Sequence, residues 1–163
     1  ARDLVAASDT NLGSIGYHFG SKDALLDLAL HQAQAEYVEK VLAVATAANG
    51  SAGGLDGVKA SWIEMVAAFG NMRELTIAFF EALVQSERSP ELRERLAATA
   101  RQMREAVRTS LDRADVGDPG RRDAIASYMM AVCDGLLVQW LLDPDAIPDG
   151  EELFEAARSV FAV

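Results

Sequence analysis

The run Leu12-Gly13-Ser14-Ile15-Gly16-Tyr17-His18-Phe19-Gly20-Ser21-Lys22-Asp23-Ala24-Leu25-Leu26 contains a short helix, a turn and the start of a long helix. Asn11 precedes it as an N-cap residue, whose side chain can accept from the unpaired N–H groups of a first turn. The predicted short helix covers Leu12 to Tyr17, and His18 to Gly20 form the turn. Ser21 then caps a helix that starts at Lys22 and runs to about Ala48. Leu25, Leu28, Ala29, Tyr37, Val41 and Leu42 stand near helical spacing along it. Upstream, Ala1 to Ala7 reads as the body of a further helix, broken by Ser8-Asp9-Thr10.

Downstream the same signals recur. Asn49 to Gly57 is rich in Gly, Ser and Ala and reads as a loop. A helix follows from about Val58 to Gly70, and another from Met72 to about Glu87. Ser89-Pro90 pairs an N-cap with proline at the first helical position, opening a long helix to about Ala114. Asp118-Pro119 repeats the signal before Gly120 to Leu142, the most apolar helix in the chain. Asp143-Pro144-Asp145 stops that helix. Asp149, with Glu152 three residues on, resembles a capping box for a last helix, Gly150 toward Phe161. No run alternates with period two. The expected fold is all-α with about eight helices.

The 163 residues suit one domain or a small module joined to a larger one. Half are hydrophobic and 25% are charged, an ordinary globular balance. Asp134, Gly135 and Gln139 interrupt the apolar stretch Tyr128 to Leu142, which argues against a membrane span of roughly 20 apolar residues. No leader peptide is visible, so the expected location is the cytoplasm. A single cysteine excludes an internal disulfide framework, and no Cys/His spacing fits a metal. No cofactor is expected. With no nucleophile–base set, an enzyme is not expected either. The net charge of −10 opposes wholesale binding to phosphate.

The segment Asp3 to Ala7 together with Leu12 to Leu26 resembles the helix-turn-helix of the tetracycline-repressor (TetR) family. The run from Tyr17 to Lys22 with the following acid and Leu pair carries the resemblance most specifically. Cys133 to Pro144 is similar to the family's penultimate helix. The resemblance implies two domains: a DNA-binding head over residues 1–31, its first helix missing, and a helical effector-binding and dimerisation domain over 32–163. It implies contacts to double-stranded DNA from Thr10, Asn11, Leu12, Gly13, Ser14, Gly16, Tyr17, His18 and Lys22. The chemistry of these residues fits that role. Small residues at 13, 14 and 16 let a helix backbone approach a major groove, and Lys22 at a helix N-terminus can grip a phosphate. Two departures stand out. Asp9-Thr10 replaces the family's usual Gly-Val turn. Residues 1–31 also hold only Arg2 and Lys22 against Asp3, Asp9, Asp23 and Asp27, a net −2.

In the body, Trp62, Met65, Phe69, Phe79, Phe80, Met103 and Tyr128 form a bulky apolar set. They are the expected lining of a pocket for a small apolar or aromatic effector, because soft methionine side chains adapt to varied ligands. By resemblance, the last two helices pack against their copies in a homodimer, with Met129, Val132, Leu136, Gln139, Trp140, Phe154 and Phe161 at the interface. Glu81, Asp134 and Cys133 are read as structural groups. The expected function is a ligand-responsive transcriptional regulator, a repressor, bound to a palindromic operator. The alternative is a helical small-molecule-binding or scaffold protein whose head does not read DNA.

Overall fold

The computed structural model describes residues 17–47 and 54–161, which form helices and short turns with no strand among them. Residues 17–19 are helical, and Gly20 turns the chain with φ +77°, a left-handed conformation that glycine adopts without steric cost. The Ser21 hydroxyl then accepts from the Ala24 N–H at 3.0 Å and caps α1, Lys22–Ala47.

Helix α2 spans Gly54–Ala68. It starts before the expected Val58, so residues 54–57 belong to a helix rather than a loop. Gly57 is buried and Asp56 sits in the first turn, where the helix dipole favours an acid. Burial and end charge outweigh the poor helix propensity of the small residues. The Gly70-Asn71 interruption is a 3₁₀ turn, Phe69–Met72, which buries both Phe69 and Met72. Helix α3 is Arg73–Ser86 and α4 is Pro90–Ala114. Ser89 Oγ accepts from the Leu92 N–H at 3.2 Å, with Pro90 at the first turn.

Helix α4 ends on Asp115 in the left-handed region, φ 51°. Arg122 ties this corner together. Its guanidinium donates to Asp112 Oδ1 at 2.7 Å, Asp115 Oδ1 at 2.9 Å and the Val116 carbonyl at 3.2 Å. Asp118 Oδ1 accepts from the Gly120 N–H at 2.9 Å in the turn before α5, Arg122–Leu142. Asp143 leaves α5 in an extended conformation, and Pro144–Ala146 form a 3₁₀ turn. Asp149 Oδ1 accepts from the N–H groups of Glu151 and Glu152, both at 2.9 Å, at the start of α6, Gly150–Phe161.

Helix α1 packs on α2, α3 and α4; α5 packs on α4; α6 packs on α2. The α2–α6 contact is so close that a Cβ on Gly150 would lie 2.5 Å from the Ile63 Cα and 2.6 Å from the Trp62 carbonyl oxygen. Lys59 and Glu151 bridge the same pair of helices at 2.5 Å. Phe69, Leu136 and Leu137 form the buried core between α2 and α5, flanked by Trp62, Met65, Val66, Val132, Trp140 and Leu153.

Several residues assigned to an interface between copies sit inside a single chain. Leu136 and Phe154 are buried. Val132 packs on the core, and the Trp140 ring lies 6.1 Å from that of Phe69. Gln139 is exposed and donates to the Gly135 carbonyl at 3.3 Å. The Phe161 side chain lies outside the described residues. The cause is that α5 is apolar on all sides, so periodicity does not reveal which stripe faces inward. The stripe that does face out comprises Tyr128, Ala131, Gly135, Val138 and Leu142. Pro119–Leu142 is also long and apolar enough to cross a membrane by length and composition. Its inner face is committed to the bundle through Ala126, Leu136 and Leu137.

Candidate ligand-binding cavity

A cavity of about 130 Å³ lies between α1, α2, α4 and α5. Tyr37, Val41 and Leu42 of α1 form one wall, and Trp62 and Met65 of α2 another. Phe69, Met103 and Met130 add to it. All five methionines of the chain, at 65, 72, 103, 129 and 130, line this one space. Their flexible thioethers give it walls that can reshape around a guest. The volume is close to that of an apolar cavity known to admit benzene, about 150 Å³.

Of the set expected from sequence, Trp62, Met65, Phe69 and Met103 come together here. Phe79, Phe80 and Tyr128 do not line the cavity. Phe79 stacks on Tyr37 from behind, with ring centroids 5.2 Å apart and planes at 14°, and meets Phe80 edge-on at 5.7 Å. Tyr128 lies on the outer stripe of α5, 51% exposed. Met129, expected at an interface, lines the cavity instead.

The polar groups of the cavity are few. Ser61 and Ser110 donate their hydroxyl hydrogens to the Gly57 and Ala106 carbonyls at 3.0 and 2.9 Å. Tyr37 is buried, and no described group hydrogen-bonds its hydroxyl. Burial, with the neighbouring Cys133 and then Asp134, holds its phenol well above the ordinary range. Burial also pushes the Cys133 thiol up to about 12, and Asp134 adds to that shift. Partial desolvation raises the Asp134 carboxyl above the usual aspartate value, although the residue remains open to solvent. Among the described lining residues Asp134 is the only charged side chain. No described cluster of His, Cys, Asp or Glu has metal-binding geometry.

A family model described as "Tetracyclin repressor-like, C-terminal domain" matches residues 53–163. The chain belongs to the tetracycline-repressor-like family. The match covers α2 to α6 and therefore every wall of the cavity except α1. No curated protein and no solved structure matches the chain.

Toward the N-terminus of this tetracycline-repressor-like chain, Thr10, Asn11, Leu12, Gly13, Ser14 and Gly16 lie outside the described residues, as does the Lys22 side chain. Tyr17 is 86% exposed, and its ring meets that of His18 at 5.0 Å, nearly perpendicular. His18 is exposed as well. Phe19 is 38% exposed. Sequence reasoning assigned no site role to Tyr37 and read Asp134 as structural. Asp134 did carry a signal, as the only acid in the apolar stretch Tyr128 to Leu142. Tyr37 carried none beyond its helical spacing, because its place depends on how α1, α3 and α5 meet.

Proposed function

We propose that the protein is a ligand-responsive, DNA-binding transcriptional regulator that acts as a homodimer on a palindromic operator, most simply as a repressor. The observation that carries this reading is the continuity of α1. One helix begins at Lys22, directly after the exposed Tyr17–His18 segment, and supplies Tyr37, Val41 and Leu42 to the cavity wall. A guest that displaces that wall displaces the helix on which the head is mounted. Only a ligand with different affinity for the two positions of α1 shifts the balance between them.

The outer stripe of α5 supports the homodimer. Tyr128, Val138 and Leu142 are 51%, 42% and 82% exposed, around the small residues Ala131 and Gly135. An apolar face of this kind marks a binding surface in soluble proteins, and small residues at its centre let two helices approach closely. Two heads related by the dimer axis would enter major grooves about one helical turn apart, or a multiple of it. Selection of bound duplexes from a random library at near-physiological salt tests the reading. A palindromic consensus is the expected result. A folded dimer that enriches no sequence overturns it in favour of a ligand-binding module.

A further inference from the structure

The cavity carries a charge signature that its apolar walls do not require. Among the described residues no Lys, Arg or His lines it, and Asp134 supplies its only formal charge. Both lining serines have committed their hydrogens to helix carbonyls. The neutral donors left are the Tyr37 hydroxyl, the Trp62 indole and the weak Cys133 thiol. A carboxylate or phosphate guest would therefore find no cationic partner and one repelling carboxylate. A cationic guest would find three favourable features together. Asp134 offers a charge-assisted hydrogen bond. The rings of Trp62, Tyr37 and Phe69 line the same space, and aromatic faces attract cations. The methionine walls accept the apolar remainder. An acid with solvent on one side and an apolar cavity on the other is also placed to pair with an ammonium without full desolvation of either ion, which is the main cost of a buried ion pair.

We propose that the cavity is selective for small apolar amines in their protonated form, with Asp134 holding the ammonium and the aromatic and methionine walls holding the hydrocarbon. This rests on the reading of the cavity as the ligand site. It adds the chemical class of the ligand and names the selecting residue. Nothing in the proposal requires a change in the fold: Asp134 forms no ion pair with any described residue, so its carboxylate is available to a guest.

Isothermal calorimetry at pH 7 with three probes of one scaffold tests it: 2-phenylethylamine, 2-phenylethanol and phenylacetate. The amine is expected to bind most tightly, the alcohol less, and the carboxylate least. In Asp134→Asn, amine affinity should fall by about tenfold or more, the usual scale for losing a hydrogen bond to a charged group, while alcohol affinity stays within about twofold. Circular dichroism confirms that the variant is folded, and unchanged binding of the alcohol shows that the cavity is intact. If the alcohol binds and the amine shows no preference, or if its preference survives Asp134→Asn, amine selectivity is wrong and the cavity reading stands. If none of the three binds the folded protein, the cavity reading falls and the selectivity falls with it.

Discussion

Alanine at Gly150 and alanine at Gly135 are the same chemical change, and the structure assigns them opposite signs. At Gly150 the new methyl would meet the Ile63 Cα at 2.5 Å, the Ile63 nitrogen at 2.6 Å and the Trp62 carbonyl oxygen at 2.6 Å, where ordinary contact begins at 3.4 Å. All three atoms are backbone, so no side-chain rotation relieves the clash. Helix α6 must move off α2, disturbing the packing of Leu153 on the core and the Lys59–Glu151 bridge. Overpacking of this kind costs about 2–3 kcal/mol. For a chain of this size that lowers Tm by about 4–12 °C. At Gly135 nothing lies within 4 Å of the added carbon. Within a single chain the gain in helix propensity is unopposed, about 0.5–1 kcal/mol, and Tm rises by about 1–4 °C when melted at concentrations that keep the chain monomeric. Thermal melts of the two variants beside the parent protein decide the matter. A Gly150→Ala variant that melts at or above the parent temperature would refute the close α2–α6 packing.

Further outcomes follow from the same geometry. In the proposed homodimer, Gly135→Trp puts a large ring on the outer stripe of α5, where an added Cβ meets nothing within 4 Å of its own chain, so light scattering should show a folded monomer; a dimer that persists at micromolar concentration would exclude that face. The fold favours the protonated form of Asp134, because burial raises its carboxyl. The stability this contributes is complete below the ordinary aspartate value of 3.8 and is lost as pH rises through the raised one. Asp134→Asn should therefore melt above the parent protein at pH 7, with the gap closing below pH 3.8; equal melting temperatures at pH 7 would contradict the desolvation. Cys133, with its thiol near 12, should react with iodoacetamide at pH 8 at least about a hundredfold more slowly than a free cysteine. Mass spectrometry would expose the opposite result as rapid labelling of the folded chain.

What could be read from the sequence was what is decided locally. Ser21, Ser89, Asp118 and Asp149 each accept a backbone N–H within three residues, and each marks a helix start that composition and spacing already indicate. Four of the cavity residues could be found the same way, because large apolar side chains on one helical stripe must face inward. The misplaced residues share a different cause. Helix α5 has no polar face, so Met129, Val132, Leu136 and Trp140 read as equally fit for a core, a cavity or an interface; packing with Phe69 and Leu153 sorts the last three, and the cavity wall sorts Met129. Gly54 to Gly57 read as a loop because glycine disfavours helix, and burial against neighbouring helices overrides that preference. That Tyr37 and Asp134 line one cavity depends on separate helices meeting, which no local pattern encodes.

In the proposed regulator, occupancy of the cavity is felt at the head through α1. The most direct measurement is the Kd of the dimer for its selected palindromic duplex, with and without 2-phenylethylamine at a concentration that calorimetry shows to saturate the cavity. A change of about 5–150-fold is expected, the usual span of coupling between two sites. An identical Kd with the cavity fully occupied would contradict it.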